Sequence, residues 1–137
     1  MLIGIGSDLC DARRIETVLA RHGTRFEERV FTASERAAAA RRYGPARLGT
    51  FAKRWAAKEA CAKALGTGFS QGVFHRDMGV ENLPTGQPVM RLTGGALVRL
   101  HALVPDGLVA QVFLTMTDEH PYAFAQVMIM AEKASAA

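Results

Sequence analysis

With two cysteines and four histidines in 137 residues, the chain has little material for metal clusters or disulfides. Cys10 and Cys61 are too few for a disulfide framework. Neither lies in a Cys-x-x-Cys or Cys-x-x-His pattern, so both read as small buried hydrophobes rather than nucleophiles. His22, His75, His101 and His120 show no His-x-x-x-His spacing, which removes the usual zinc motif and leaves oxygen ligands for any metal. No run approaches the roughly 20 apolar residues of a membrane span. The apolar start is cut by Asp8 and Asp11 and lacks a basic leader and a small-residue cleavage site, so it is not read as a signal peptide and a cytoplasmic protein is expected. No internal repeat and no low-complexity linker interrupts the chain.

What is present fits one folded domain over residues 1–137. Hydrophobic residues make up 49% and charged residues 22%, ordinary proportions for a chain that buries a core. The net charge of +4 implies an anionic partner without naming one. A nucleic-acid ligand is disfavoured, because interleaved exposed aromatics and any helix-turn-helix, zinc-finger or RNP pattern are missing.

Arg54 to Gly68 is the stretch around which the chain is organised. From Arg54 to Ala64 it lacks Gly and Pro and consists largely of Ala, Lys and Glu, strong helix formers, with Gly66 as the stop. At four-residue spacing Trp55, Glu59 and Lys63 share one helical face. Taken alone, Glu59 and Lys63 are a solvated pair worth about 0.3–0.5 kcal/mol. The start of the chain changes that balance, since the apolar segment from Leu2 ends in a predicted Gly-x-Asp turn at Gly6 to Asp8 and offers a second carboxylate. Gly4-Ile5-Gly6 is no dinucleotide fingerprint, for the third glycine would fall at Leu9.

In chain order, residues 2 to 10 read as a strand and a helix follows from Asp11 to Gly23, with Ile15, Val18 and Leu19 as its apolar stripe. Arg14, Arg21, Arg25 and Arg29 form a basic ridge that could cross the break at Gly23; a solvated face is the plainer reading. Thr32 and Glu35 match a capping box for a helix running to Tyr43. Pro45 opens the longest helix, which extends to Gly66. Strands are expected at Val73 to Leu83 and Pro88 to Thr93, joined at Pro84-Thr85-Gly86, then a short helix over Ala96 to Leu103 with Thr93 as N-cap. Leu108 to Thr117 and Tyr122 to Ala131 read as a hairpin closed by residues 118 to 121. Val127 to Met130 is apolar at every position, which predicts cover on both faces, from helices or from another subunit. Residues 132 to 137 are expected to fray. The fold class is therefore α+β, helices on a mainly antiparallel sheet.

Gly4-Ile5-Gly6-Ser7-Asp8 and Trp55-Ala56-Ala57-Lys58-Glu59-Ala60 with Lys63, followed in order by Gly66-Thr67-Gly68, Asn82 to Pro88 and Thr115-Met116-Thr117, resemble the bacterial holo-acyl-carrier-protein synthases, a family of phosphopantetheinyl transferases. The likeness runs nearly end to end. It implies the transferase fold, assembled as a homotrimer with active sites between subunits. It also implies Mg²⁺-dependent transfer of phosphopantetheine from coenzyme A to a serine of apo-acyl carrier protein. By resemblance, Asp8 and Glu59 hold Mg²⁺, Lys63 and Glu59 are catalytic, and Lys58 belongs with Lys63 at the phosphates. Arg47, Arg54, Gly66, Thr67, Gly68, Gly86, Pro88 and Thr117 complete the expected coenzyme A contacts, while Arg14, Arg21, Arg25 and Arg29 face the acidic carrier. Asp118 departs from the pattern, because some relatives carry histidine there, and it is left out of the site.

Overall fold

The run from Gly44 to Leu65 forms one 22-residue helix, α4, in the computed structural model, which describes residues 1–135. Pro45 sits in its first turn, where a missing amide costs nothing, and Gly66 closes it at φ 79°, the left-handed conformation that glycine adopts without strain. From Leu48 onward one broad face of the helix is buried, through its alanines and Phe51, Cys61 and Leu65. Small residues let neighbours come close. A Cβ added at Gly4 would stand 2.0 Å from the Ala64 carbonyl oxygen, and one at Gly6 would stand 2.1 Å from that of Ala60. Strand β1 (Leu2–Asp11) therefore lies with its backbone directly on α4.

That contact corrects one expectation. Gly6 to Asp8 is not a turn; β1 continues through it to Asp11, and the glycines serve the close approach to α4 instead. Asp11 then caps helix α1 (Ala12–His22) by accepting from the Arg13 amide. Helix α2 (Thr24–Val30) follows Gly23 directly, and α3 (Ala33–Ala40) opens with the predicted capping box of Thr32 and Glu35.

β5 (Tyr122–Lys133) is the centre of a three-stranded antiparallel sheet in the order β1-β5-β4, with β4 spanning Leu108–Glu119. The β4–β5 turn is shorter than predicted, only His120 and Pro121 lying outside the strands. A second, two-stranded sheet pairs β2 (Met78–Asn82) with β3 (Pro88–Leu92), and α5 (Gly94–Leu103) follows. β2 starts later than Val73 because Asp77 folds the approach into a 3₁₀ turn, its carboxylate accepting from the Phe74 amide at 3.3 Å.

Along β5, Ala123, Ala125, Val127, Ile129 and Ala131 are buried against the helices. The alternate residues Phe124 and Met128 are each 36% exposed, so the helices of this chain cover one face of the sheet only. In register with them lie Ile5 and Phe113 beside Met128, and Leu9 and Thr117 beside Phe124. No helix of the described residues is long and apolar enough to cross a membrane.

Candidate active site

Asp8 comes from β1 and Glu59 from α4, and the Gly4/Gly6 contact brings these elements together. The two carboxylates flank one cleft of about 310 Å³ whose walls include Arg14, Ile15 and Val18 of α1, Phe26 of α2 and Trp55. Lys63, one turn beyond Glu59, donates from Nζ to the Ser7 carbonyl at 2.9 Å and to Asp8 Oδ1 at 3.2 Å. Burial holds the Asp8 carboxyl above its ordinary value; Lys63 opposes the rise and the charge of Glu59 adds to it. An exposed lysine thus supplies the nearest positive charge to a half-buried carboxylate.

The cleft has an aromatic border that sequence spacing did not disclose. His75, in the 3₁₀ turn, stacks on Phe69 with ring centroids 3.6 Å apart and on Trp55 at 4.7 Å, and Phe26 packs on Trp55 at 5.9 Å. Its Nε2 lies 3.5 Å from Glu59 Oε1. Sixteen residues separate the two, and a lone histidine outside any motif gives no local signal.

Lys58 is a correction. Expected at the phosphates, it is fully buried, with Nζ donating to Glu35 Oε1 at 2.7 Å and to the Met78 carbonyl at 2.6 Å. Helical rotation explains it: adjacent residues point about 100° apart, so Glu59 and Lys58 cannot both face the cleft. Glu35 also accepts from the Val80 amide at 3.0 Å and from the Thr32 amide at 2.8 Å, so every charged atom of this buried pair has a partner.

The other expected coenzyme contacts do not line that cleft. Arg54 is 6% exposed, its Nη1 on the Thr50 carbonyl and its Nη2 on Asn82 Oδ1, while Nε is buried without a partner. Arg47 pairs with Glu27 at 3.4 Å and sits over the Phe51 ring. The amides of Gly66 and Gly68 both donate to carbonyls of α4, so the helix cap uses the donors expected to meet phosphate. Space around Gly68 is nevertheless open, nothing lying within 4 Å of where its Cβ would be, and the same holds at Gly86 in the β2–β3 turn. Pro88 begins β3. Thr117 faces the uncovered side of the sheet with Phe124, whereas Met116 and Ala125 share the row of Asp8 on the helix side. Asp118 pairs with Lys53 at 3.6 Å and overhangs Gly49, where a Cβ would meet its Oδ2 at 2.5 Å. Arg14, Arg21, Arg25 and Arg29 are all exposed, and among the described residues no ion pair engages them.

A model of the 4'-phosphopantetheinyl transferase superfamily matches residues 4–125, and the chain belongs to that superfamily. The holo-[acyl-carrier-protein] synthase of Granulibacter bethesdensis is 70% identical over 131 residues, covering 96% of this chain and 90% of that one. The crystal structure of the Neisseria meningitidis holo-[acyl-carrier-protein] synthase superposes with a TM-score of 0.79 at 34% identity, over 97% of this chain and all of that one. The Bacillus anthracis synthase, in complex with CoA (3',5'-ADP), gives 0.75 at 32%, over 94% and 96% of the two chains.

Proposed function

We propose that this chain transfers the phosphopantetheine arm of coenzyme A to a serine of apo-acyl carrier protein and releases adenosine 3',5'-bisphosphate. The serine oxygen attacks the phosphorus that carries the pantetheine, and the hydroxyl proton is released to solvent. The bond from that phosphorus to the bridging oxygen breaks, and the nucleotide leaves with it. One observation carries the reading: Asp8 and Glu59, from two elements that Gly4 and Gly6 allow to approach, line one cleft, and Lys63 reaches Asp8 at 3.2 Å.

Positioning and charge neutralisation dominate such a transfer. Asp8 and Glu59 would hold Mg²⁺. Among the described residues no group of three or more His, Cys, Asp or Glu side chains is placed to hold a metal. A two-carboxylate site suits an ion that completes its shell with water and substrate phosphate. When bound, the ion neutralises pyrophosphate charge. Lys63 supports the charge that develops on the leaving oxygen. By the family pattern, Arg54 and Arg47 would meet the outer phosphate and nucleotide. The open turns at Gly66-Thr67-Gly68 and at Gly86 with Pro88 border the coenzyme. The exposed ridge Arg14, Arg21, Arg25 and Arg29 faces the acidic carrier, and Arg14 reaches from it into the cleft.

Three copies would complete the site. The uncovered apolar sheet face needs a partner, and Thr117 stands on that face, so its hydroxyl serves a neighbour's cleft across the seam. The working compartment is the cytoplasm, where coenzyme A and its carrier meet. The test is incubation of apo-carrier with coenzyme A and Mg²⁺, expecting a carrier mass gain equal to the phosphopantetheine arm. Unchanged mass despite confirmed carrier binding would point to a scaffold instead.

A further inference from the structure

We infer that Asn82 is a positioning residue that ties the β2–β3 turn to helix α4 through Arg54 and so sets the coenzyme end of the site. The inference rests on the reading that Gly86 and Pro88 border coenzyme A. Arg54 Nη2 donates to Asn82 Oδ1 at 3.0 Å, and Asn82 Nδ2 donates to the Gly86 carbonyl at 3.0 Å, both within the best range for such bonds. A carboxamide offers an acceptor and donors on one short side chain, which this relay requires; aspartate could accept from Arg54 but could not donate to Gly86.

The turn has need of the tether. Asn82 is the last residue of β2 and faces Pro88, the first of β3, so the regular ladder ends there. Beyond it the loop is closed by the Leu83 amide on the Gln87 carbonyl at 2.9 Å and the Gly86 amide on the Leu83 carbonyl at 2.8 Å, with a long bond from the Gln87 amide to Thr85 Oγ1 at 3.4 Å. Gly86 stands at φ 91°, a conformation that glycine adopts freely, and nothing packs on it. At the other end the anchor is firm. Arg54 is buried in α4 one turn before Lys58, which the Glu35 pair fixes in the core. Asn82 itself is exposed, so its side chain adds little to the core and its hydrogen bonds define its part.

Two substitutions separate the ends of the relay. Asn82→Asp keeps an acceptor for Arg54 and sets a carboxylate against the Gly86 carbonyl, while Asn82→Ala removes both bonds. Hydrogen exchange at the Leu83 and Gly86 amides and steady-state kinetics are measured on both variants. Exchange is expected to quicken, and KM for coenzyme A to rise, by about five-fold in Asn82→Asp, the net worth of the one bond to Gly86, and by more in Asn82→Ala, which also loses the bond to Arg54. kcat and the carrier KM should stay at wild-type values. Unchanged exchange would overturn the tether whatever the kinetics do. Faster exchange with an unmoved coenzyme KM would instead remove the turn from the coenzyme site, and with it this role for Asn82. A fall in melting temperature with loss of kcat in both variants would make Asn82 merely structural and also overturn the inference.

Discussion

Asp8 and Lys58 are both charged groups drawn out of water, and their partners differ in a way that separates function from folding. Asp8 has the exposed Lys63 beside it and still sits above its ordinary value, so the fold pays for its anion rather than gaining from it. A neutral isostere should relieve that cost. Asp8→Asn is expected to abolish transfer while leaving the melting temperature equal or higher near pH 7. The sign of the pH dependence follows from the raised value. The folded state binds this proton more tightly than the unfolded state, so the wild type gains relative stability as pH falls through the folded value, and its gap to Asp8→Asn should narrow there. Melts of both proteins from pH 7 to pH 4 read this directly; a widening gap on acidification would contradict it. For Lys58 burial pushes the ammonium down from its usual value and Glu35 opposes the shift, both side chains being fully buried. Lys58→Met should therefore cost about 3–5 kcal/mol by stranding the Glu35 charge. Adding Glu35→Gln should restore much of the loss in a denaturant titration. Equal destabilisation by the single and double variants would mean that the pair is not coupled.

At the level of elements, β1 and α4 set the site through backbone contact, and the prediction lies with glycine. Gly6→Ala places a Cβ against the Ala60 carbonyl, the Ala64 amide and the Lys63 Cβ. The strand must move away, at a cost of about 1–3 kcal/mol or more, and Asp8 moves with it. Activity should fall further than stability explains. A melt and a turnover assay decide, and wild-type turnover with an unchanged melt would show that the approach can relax. These elements also show what was legible beforehand. α4 was readable because composition, Pro45 and Gly66 all agree on it, and the Thr32/Glu35 capping box because its signal is local. Spacing makes Glu59 and Lys63 legible as one helical face, and Asp8 joins them through the family pattern. What escaped depends on contacts between distant segments: Glu35 meeting Lys58, His75 stacked between Trp55 and Phe69, Asn82 holding Arg54. Lys58 belongs with these, since a lysine beside a site residue on a helix gives no sign of which neighbour will bury it. At Gly6 the sequence is ambiguous, because glycine signals both turns and close approach and only the partner helix distinguishes them.

Across the whole molecule two surfaces remain to be used, one charged and one apolar. The charged one is the ridge on α1 and α2. Reversal to Glu at Arg21 or Arg25 should raise the carrier KM about ten-fold, through lost complementarity, with little change in the coenzyme KM, and the effect should shrink in high salt. Equal effects on both substrates would remove the ridge from carrier docking. The apolar one is the open sheet face, where Leu9 is 67% exposed and Ile5 and Phe113 are each 50% exposed in register with Phe124 and Met128. A contiguous apolar patch on a chain of this size marks an interface, and covering it is worth about 25 cal/mol per Å². Light scattering should give a mass three times the 14.8 kDa of one chain, and Phe113→Asp with Met128→Glu should lower it. Mass alone does not show that the sites are shared, but mixing does. Asp8→Asn should be inactive through its own cleft, and Thr117→Asp inactive through the neighbour's, because a carboxylate there meets coenzyme phosphate. If the two chains are refolded together, random assortment pairs an intact Asp8 with an intact Thr117 at roughly a quarter of the seams, and that fraction of activity should return. Sites contained within single chains would give none back. A wild-type protein that ran at monomer mass with full turnover would overturn the assembly outright.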